Sequence, residues 1–161
     1  MRNRLFQNVH VVNAMPAANE ASYSDLFNGN PATKVVNLSN YERVTWLIQK
    51  GSGSTGTAVI TCQSCSDTTP SVTTAVPFAY WTCTSGDTWS DMNTATSTGF
   101  TTTAGADQVY AVEVNASELS GTDSYVRLVA TESINDPVNG TVTCILSGPR
   151  YMHEVSQTAI V

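Results

Sequence analysis

TCQSC, residues 61–65, places two thiols three residues apart in a chain of 161 residues with four cysteines. That spacing suits half of a zinc site, a redox pair, or a plain strand. The residues before it decide. TAVITC (57–62) puts Ala58, Ile60 and Cys62 on one face of a strand, and Cys65, an odd step further on, points to the other. Three residues at a rise of about 3.3 Å separate the two Cα atoms by about 10 Å. A disulfide needs Cα atoms within about 7 Å, and one zinc ion cannot take both thiolates across that gap. Only a tight turn at Gln63–Ser64 would bring them together. Cys83 and Cys144 form no second CxxC, and His10 and His153 lie towards the two ends. The stretch therefore reads as strand, with Cys62 and Cys144 as small buried apolar residues. No metal or cofactor is expected. A Cys62–Cys83 or Cys62–Cys144 cross-strand disulfide is the alternative left open.

Working outward, the same two-residue period recurs. TKVVNL (33–38) starts the series. In YERVTWLIQK (41–50), Val44, Trp46 and Ile48 alternate. PFAYWTCT (77–84) follows, then TWSDMN (88–93) as a weak strand. DQVYAVEVNA (107–116) sets Tyr110, Val112 and Val114 on one face. SYVRLVATES (124–133) does so with Val126, Leu128 and Ala130, and GTVTCILSG (140–148) with Val142, Cys144 and Leu146. Gly-, Ser-, Asp- and Asn-rich turns separate these runs, as in GSGSTG (51–56), SDTTPS (66–71) and NDPVNG (135–140). No long stretch has a helical period. Seven or eight strands spaced roughly ten residues apart predict an all-β fold, an antiparallel β-sandwich or jelly roll. Residues 1–32 keep no sustained period and read as an extended N-terminal arm. The sandwich is expected over 33–152 and a C-terminal tail over 153–161.

Composition excludes several functions. The formal net charge is −6, and only seven residues are Lys or Arg. Nucleic-acid binding needs clustered cations to displace counterions, and an anionic membrane surface makes the same demand. No apolar run approaches the ~20 residues of a membrane span. Gln7, Asn8, His10 and Asn13 break what a signal peptide would need as an apolar core, so export is not expected. Charged residues are only 12% of the chain, and Ser and Thr make up roughly a quarter. Hydroxyl-rich strand faces of this kind are frequent in extracellular and virion β proteins.

A search for catalytic chemistry returns ordinary structural readings. GSGSTG contains the letters of G-x-S-x-G but joins two strands, whereas the nucleophile elbow needs a strand followed by a helix. Glu113 and Glu132 sit on polar strand faces. The loop carboxylates Asp87, Asp91, Asp107, Asp123 and Asp136 match no EF-hand spacing. No enzyme is expected. Trp46 shares a face with Val44 and Ile48 and reads as core. Trp89, between Thr88 and Ser90, is the candidate exposed aromatic contact, for a sugar or for a protein partner.

Three segments carry a resemblance: VVNLSNYERVTWLIQKGSGSTGTAVITCQSC, AGADQVYAVEVNASEL and SYVRLVATESINDPVNGTVTCILSGPRY. In order and spacing they resemble the capsid decoration or cement proteins of tailed bacteriophages, over about residues 33–151. The resemblance implies a virion structural protein on the outer head surface, made in the host cytoplasm, with the major capsid protein as partner and a homo-trimer or dimer at a capsid symmetry axis. Binding residues are then expected in the arm: Leu5, Phe6, Val9, Val11 and Val12 as one apolar group, and Tyr23, Leu26 and Phe27 as a second. The alternatives are a carbohydrate-binding or adhesion module using Trp89 and loop carboxylates, or a head–tail component.

Overall fold

The computed structural model describes residues 4–15, 25–52, 55–150 and 159–160. They form eleven strands: β1 (Val9–Asn13), β2 (Val36–Asn37), β3 (Tyr41–Lys50), β4 (Thr57–Cys65), β5 (Thr74–Val76), β6 (Phe78–Cys83), β7 (Asn93–Ala95), β8 (Phe100–Thr101), β9 (Val109–Asn115), β10 (Tyr125–Ile134) and β11 (Gly140–Pro149). Two 3-10 turns, Leu5–Gln7 and Ala116–Glu118, are the only helical pieces among the described residues.

The strands build two antiparallel sheets, a β-sandwich. One has six strands in the order β1-β11-β3-β9-β6-β7, the other five. In the second sheet β2-β10-β4 run side by side, and β5 and β8 share the far edge of β4, β5 beside Cys62–Ser64 and β8 beside Val59–Ile60. The core lies between the sheets. Val44, Trp46 and Ile48 face inward beside Tyr110, Val112 and Val114 and beside Val142, Cys144 and Leu146; Ala58, Ile60, Cys62, Val126 and Leu128 come from the opposite sheet. The alternation in sequence set these faces correctly, because in a sheet buried on one side a one-residue slip would expose a whole row.

TCQSC is strand throughout: β4 runs unbroken to Cys65 against β10, with Cys62 opposite Leu128 and Cys65 opposite Tyr125. All four cysteines are free and buried. Neither cross-strand disulfide is present.

The ends of the chain correct the expected boundaries. Residues 1–32 are not simply an arm, because β1 is the outer strand of the six-stranded sheet, in register with β11 from Val9↔Ser147 to Asn13↔Thr143. Ala14 and Met15 are fully buried, and Leu26 and Phe27 lie in the core. At the other end Ala159 is buried and Ile160 bridges Val36, so the described part of the tail also joins the sandwich. VHVVN hides its strand character because an edge strand is half-exposed on both faces. Its inward positions are His10 and Val12 and its outward ones Val9 and Val11, which leaves no polar–apolar period to read. The weak strand expected at 88–93 is instead mostly loop, with β7 beginning at Asn93.

One glycine fixes the side where the sheets meet. Gly99 has φ +79, and a Cβ there would lie 2.0 Å from the Ile60 carbonyl oxygen. Only glycine lets the β7–β8 crossover pass so close to β4. Beside it the Phe100 ring stacks on Tyr80, centroids 4.1 Å apart, with Phe78 and Tyr110 packed edge-on or tilted around the pair.

Candidate interaction face

In the six-stranded sheet the even-numbered residues of β1, β9 and β11, of β3 from Val44 on and of β6 up to Tyr80 point into the core, so the odd-numbered ones beside them form its outer face. Cross-strand register orders that face. Leu47 lies opposite Ala111, and Ala111 opposite Trp81. One step lower, Val11 lies opposite Ile145. Together with Val9 these residues make an oblique apolar stripe, from the lower end of β1 to the upper part of β6. All are half-buried by their neighbours except Val11, which is exposed.

Mostly polar groups border the stripe, with Val109 on one side and Ala79 on the other as apolar exceptions. Thr143, Asn13, Thr141 and Gln49 lie on one, and Thr45, Glu113, Arg43 and Asn115 on the other. Arg43 and Glu113 face each other there at 3.6 Å, and Glu42 is exposed at the start of β3. Thr45 Oγ1 donates to Glu113 Oε2 at 2.9 Å, and Arg43 Nε donates to Asn115 Oδ1 at 3.3 Å. The outer face of the five-stranded sheet is more polar. There Arg127 donates through Nε and Nη2 to Gln63 Oε1 at 3.1 and 3.0 Å.

Large exposed apolar side chains gather on the edges of the six-stranded sheet. Leu5 (66% exposed) and Phe6 (73%) project from the turn before β1. Trp89 (44%) and Met92 (63%) lie beside β6 at the opposite edge, where Ser90 N donates to the Thr82 carbonyl at 2.8 Å. Val72 and Ile134 are the other exposed ones away from this sheet.

The residues singled out in the sequence therefore divide. Leu5, Phe6, Val9 and Val11 lie together around β1 and Trp89 is exposed, but Val12 packs against the core. Leu26 and Phe27, each 2% exposed, cannot serve as surface anchors. They cap the upper end of the sandwich, where Leu26 N donates to the Val138 carbonyl at 2.7 Å. Tyr23 lies outside the described residues. Sequence reading missed the outer stripe and Trp81 within it. The signal was present: TWLIQ and VYAVEV are apolar at successive positions, as strands are that bury something on both faces.

No constellation of acid, base and nucleophile appears among the described residues, and no group of three or more His, Cys, Asp or Glu is placed to hold a metal. Asp136 accepts from Thr55 N and Oγ1 at 3.2 and 2.8 Å, and Asp123 accepts from Ser64 Oγ at 2.6 Å at the other end of β4. These two loop carboxylates do not converge. A partly open recess of about 20 Å³ beside Leu26 and Phe27 is walled almost wholly by apolar side chains, room for about one water. A polar cleft of about 200 Å³ runs between Leu38, Leu119, Asp123 and Arg150 at the lower end.

One buried cation lies at the upper end. Lys50, 3% exposed, donates through Nζ to the carbonyls of Thr103 (2.6 Å) and Gly56 (3.1 Å) and to Gln108 Oε1 (3.3 Å). Burial pushes its pKa down. Three donors meet three oxygens, so Lys50 ties Gly56 and the 102–108 loop to the end of β3. Burial likewise pushes the thiols of Cys62, Cys144 and Cys65 up, which leaves them poor nucleophiles. Comparison with protein-family models, with curated proteins and with solved structures finds no match for this chain.

Proposed function

We propose that this protein is a virion structural protein, a decoration or cement protein that binds the outer surface of a tailed-phage head and acts by contact, not catalysis. The observation that carries the reading is the Leu5–Phe6 pair, held about two-thirds to three-quarters exposed on a short turn fused to a paired strand. An apolar anchor already positioned by folded structure loses less entropy on docking than a flexible arm would. The resemblance over residues 33–151 points to the same role, with the major capsid protein as partner. Many copies each adding about 1–2 kcal/mol at a seam would stabilise the shell collectively.

Exposed Trp89, flanked by Asp87 and Asp91, favours the carbohydrate-binding reading as the second choice, but no group of three or more His, Cys, Asp or Glu among the described residues is placed to hold its calcium. A Leu5→Ser/Phe6→Ser variant should keep the wild-type melting temperature within a few degrees. Co-sedimentation with undecorated heads should show at least tenfold weaker binding, about 1.4 kcal/mol. Unchanged head binding would reject this anchor, and glycan binding abolished by EDTA would favour the rival.

A further inference from the structure

We infer that Asn28 is a modification site, at which the chain's own Gly29 nitrogen converts the side chain to a succinimide and then to aspartate and isoaspartate. The inference is independent of head binding. The chain holds two Asn-Gly pairs, 28–29 and 139–140, and both asparagines are exposed. Sequence and exposure treat the two alike, and packing separates them.

The reaction needs the backbone nitrogen after the asparagine to reach the side-chain carbonyl carbon. The Gly29 nitrogen bonds to Asn28 Cγ, the Cγ–Nδ2 bond breaks, and Nδ2 leaves as ammonia with the proton that the Gly29 nitrogen gives up. Water then opens the ring at either carbonyl. One opening gives aspartate, and the other gives isoaspartate, with an extra methylene in the main chain. Water is the only co-reactant. Glycine suits ring closure because it has no Cβ to obstruct the rotation.

Asn28 and Gly29 are the central pair of a β-turn closed by Asn30 N, which donates to the Phe27 carbonyl at 3.3 Å, with Gly29 at φ +75. Among the described residues neither the Asn28 amide nor the Gly29 N–H has a hydrogen-bond partner. A Cβ built on Gly29 would meet nothing within 4 Å, so the turn has room to rotate. The second pair is held. Asn139 Nδ2 donates to Ser52 Oγ at 2.7 Å, Asn139 N donates to the Ser52 carbonyl at 2.9 Å, and Gly51 N donates to the Asn139 carbonyl at 2.7 Å. Gly140 opens β11, and a Cβ there would lie 2.5 Å from the Gln49 carbonyl oxygen and 2.8 Å from Leu26 Cδ2. The main chain is thus clamped on both sides of the bond that must turn.

The product alters the cap of the sandwich. On one side of the turn Phe27 N donates to Asp25 Oδ1 at 3.4 Å, and on the other Glu132 N donates to Asn30 Oδ1 at 2.8 Å. A carboxylate at position 28 adds a third acid beside Asp25 and Glu132. Isoaspartate also lengthens the turn that follows the buried Leu26 and Phe27. Both changes loosen the cap, so converted protein should melt a few degrees below fresh protein.

The test is peptide mapping by mass spectrometry while the full-length folded protein is held for several days at pH 8. Asn28 should gain about 1 Da and become a substrate for isoaspartyl methyltransferase, at least tenfold faster than Asn139. In guanidinium the two sites should convert at like rates, because only the fold distinguishes them. Asn28→Ser should abolish both the methylation near residue 28 and the fall in melting temperature. Asn28 unchanged in the folded protein, Asn139 converting as fast, or the same disparity persisting in guanidinium overturns the inference. Conversion with no fall in melting temperature overturns the effect on the cap.

Discussion

The Lys50 ammonium donates a 3.3 Å hydrogen bond to Gln108 Oε1, and the same oxygen accepts from Tyr110 Oη at 2.8 Å. Tyr110 Oη accepts in turn from Thr103 N at 2.8 Å. A buried amide thus joins a cation, a core tyrosine and a loop. Replacing Gln108 with Leu leaves Lys50 one acceptor short and strands the phenol. The expected cost is about 2–3 kcal/mol, since a buried donor stripped of its partner loses its full desolvation compensation. Urea unfolding at pH 7 measures it, and a cost below about 0.5 kcal/mol would show that water replaces Gln108.

The same lysine gives a pH signature. Burial holds its folded pKa below the ordinary lysine value of about 10.4. Between the folded and unfolded values the unfolded chain holds more protons, so this group's penalty is present at low pH and is relieved as pH rises towards about 10.4. The buried thiols act oppositely: their raised folded pKa values remove stability once unfolded thiols ionise above about pH 9. Comparing wild type with Lys50→Met cancels the thiols. The stability difference should shift in favour of wild type between pH 7 and 10, and a flat difference would contradict the assignment.

Thiol labelling tests the reading of TCQSC. With all four cysteines buried and free, native protein at pH 8 should react slowly with a disulfide reagent. In guanidinium without reductant, four thiols per chain should appear. Two thiols would mean a disulfide has formed.

Val112 is fully buried, opposite Trp46 on one side and Tyr80 on the other. Val112→Asp places an unpaired charge between the sheets, at a cost of about 3–5 kcal/mol against a total stability of ~5–15 kcal/mol. Insoluble or molten protein is expected. A cooperative melt like that of wild type would put the register of β9 in error.

Gly99→Ala should be among the most damaging alanine substitutions outside the core. The positive φ alone costs about 1–3 kcal/mol, and the methyl would meet the Ile60 carbonyl at 2.0 Å. Gly86→Ala, also at positive φ but with nothing within 4 Å, should lose only the conformational part. The difference between the two melts isolates the close approach.

Deleting the N-terminal segment is a poor probe of binding, although its sequence invites it. Removing residues 2–30 would take away β1 and the buried Ala14, Met15, Leu26 and Phe27. The product should fail to fold, so point substitutions at Leu5 and Phe6 are the informative change.

The sequence by itself determined the fold class and the core faces of β3, β4, β9, β10 and β11. A strand buried on one side must alternate, and residues such as Trp46, Val112 and Cys144 announce that period locally. It also settled that Cys62 and Cys65 point apart, because strand rise and parity are local geometry. What only the tertiary structure decided was the role of segments with no period of their own. β1 takes its place because β11 offers an open edge, and Leu26 and Phe27 are buried because the sandwich end needs a cap. The stripe through Leu47, Ala111 and Trp81 is three separate residues in sequence, and antiparallel register alone brings them into one row.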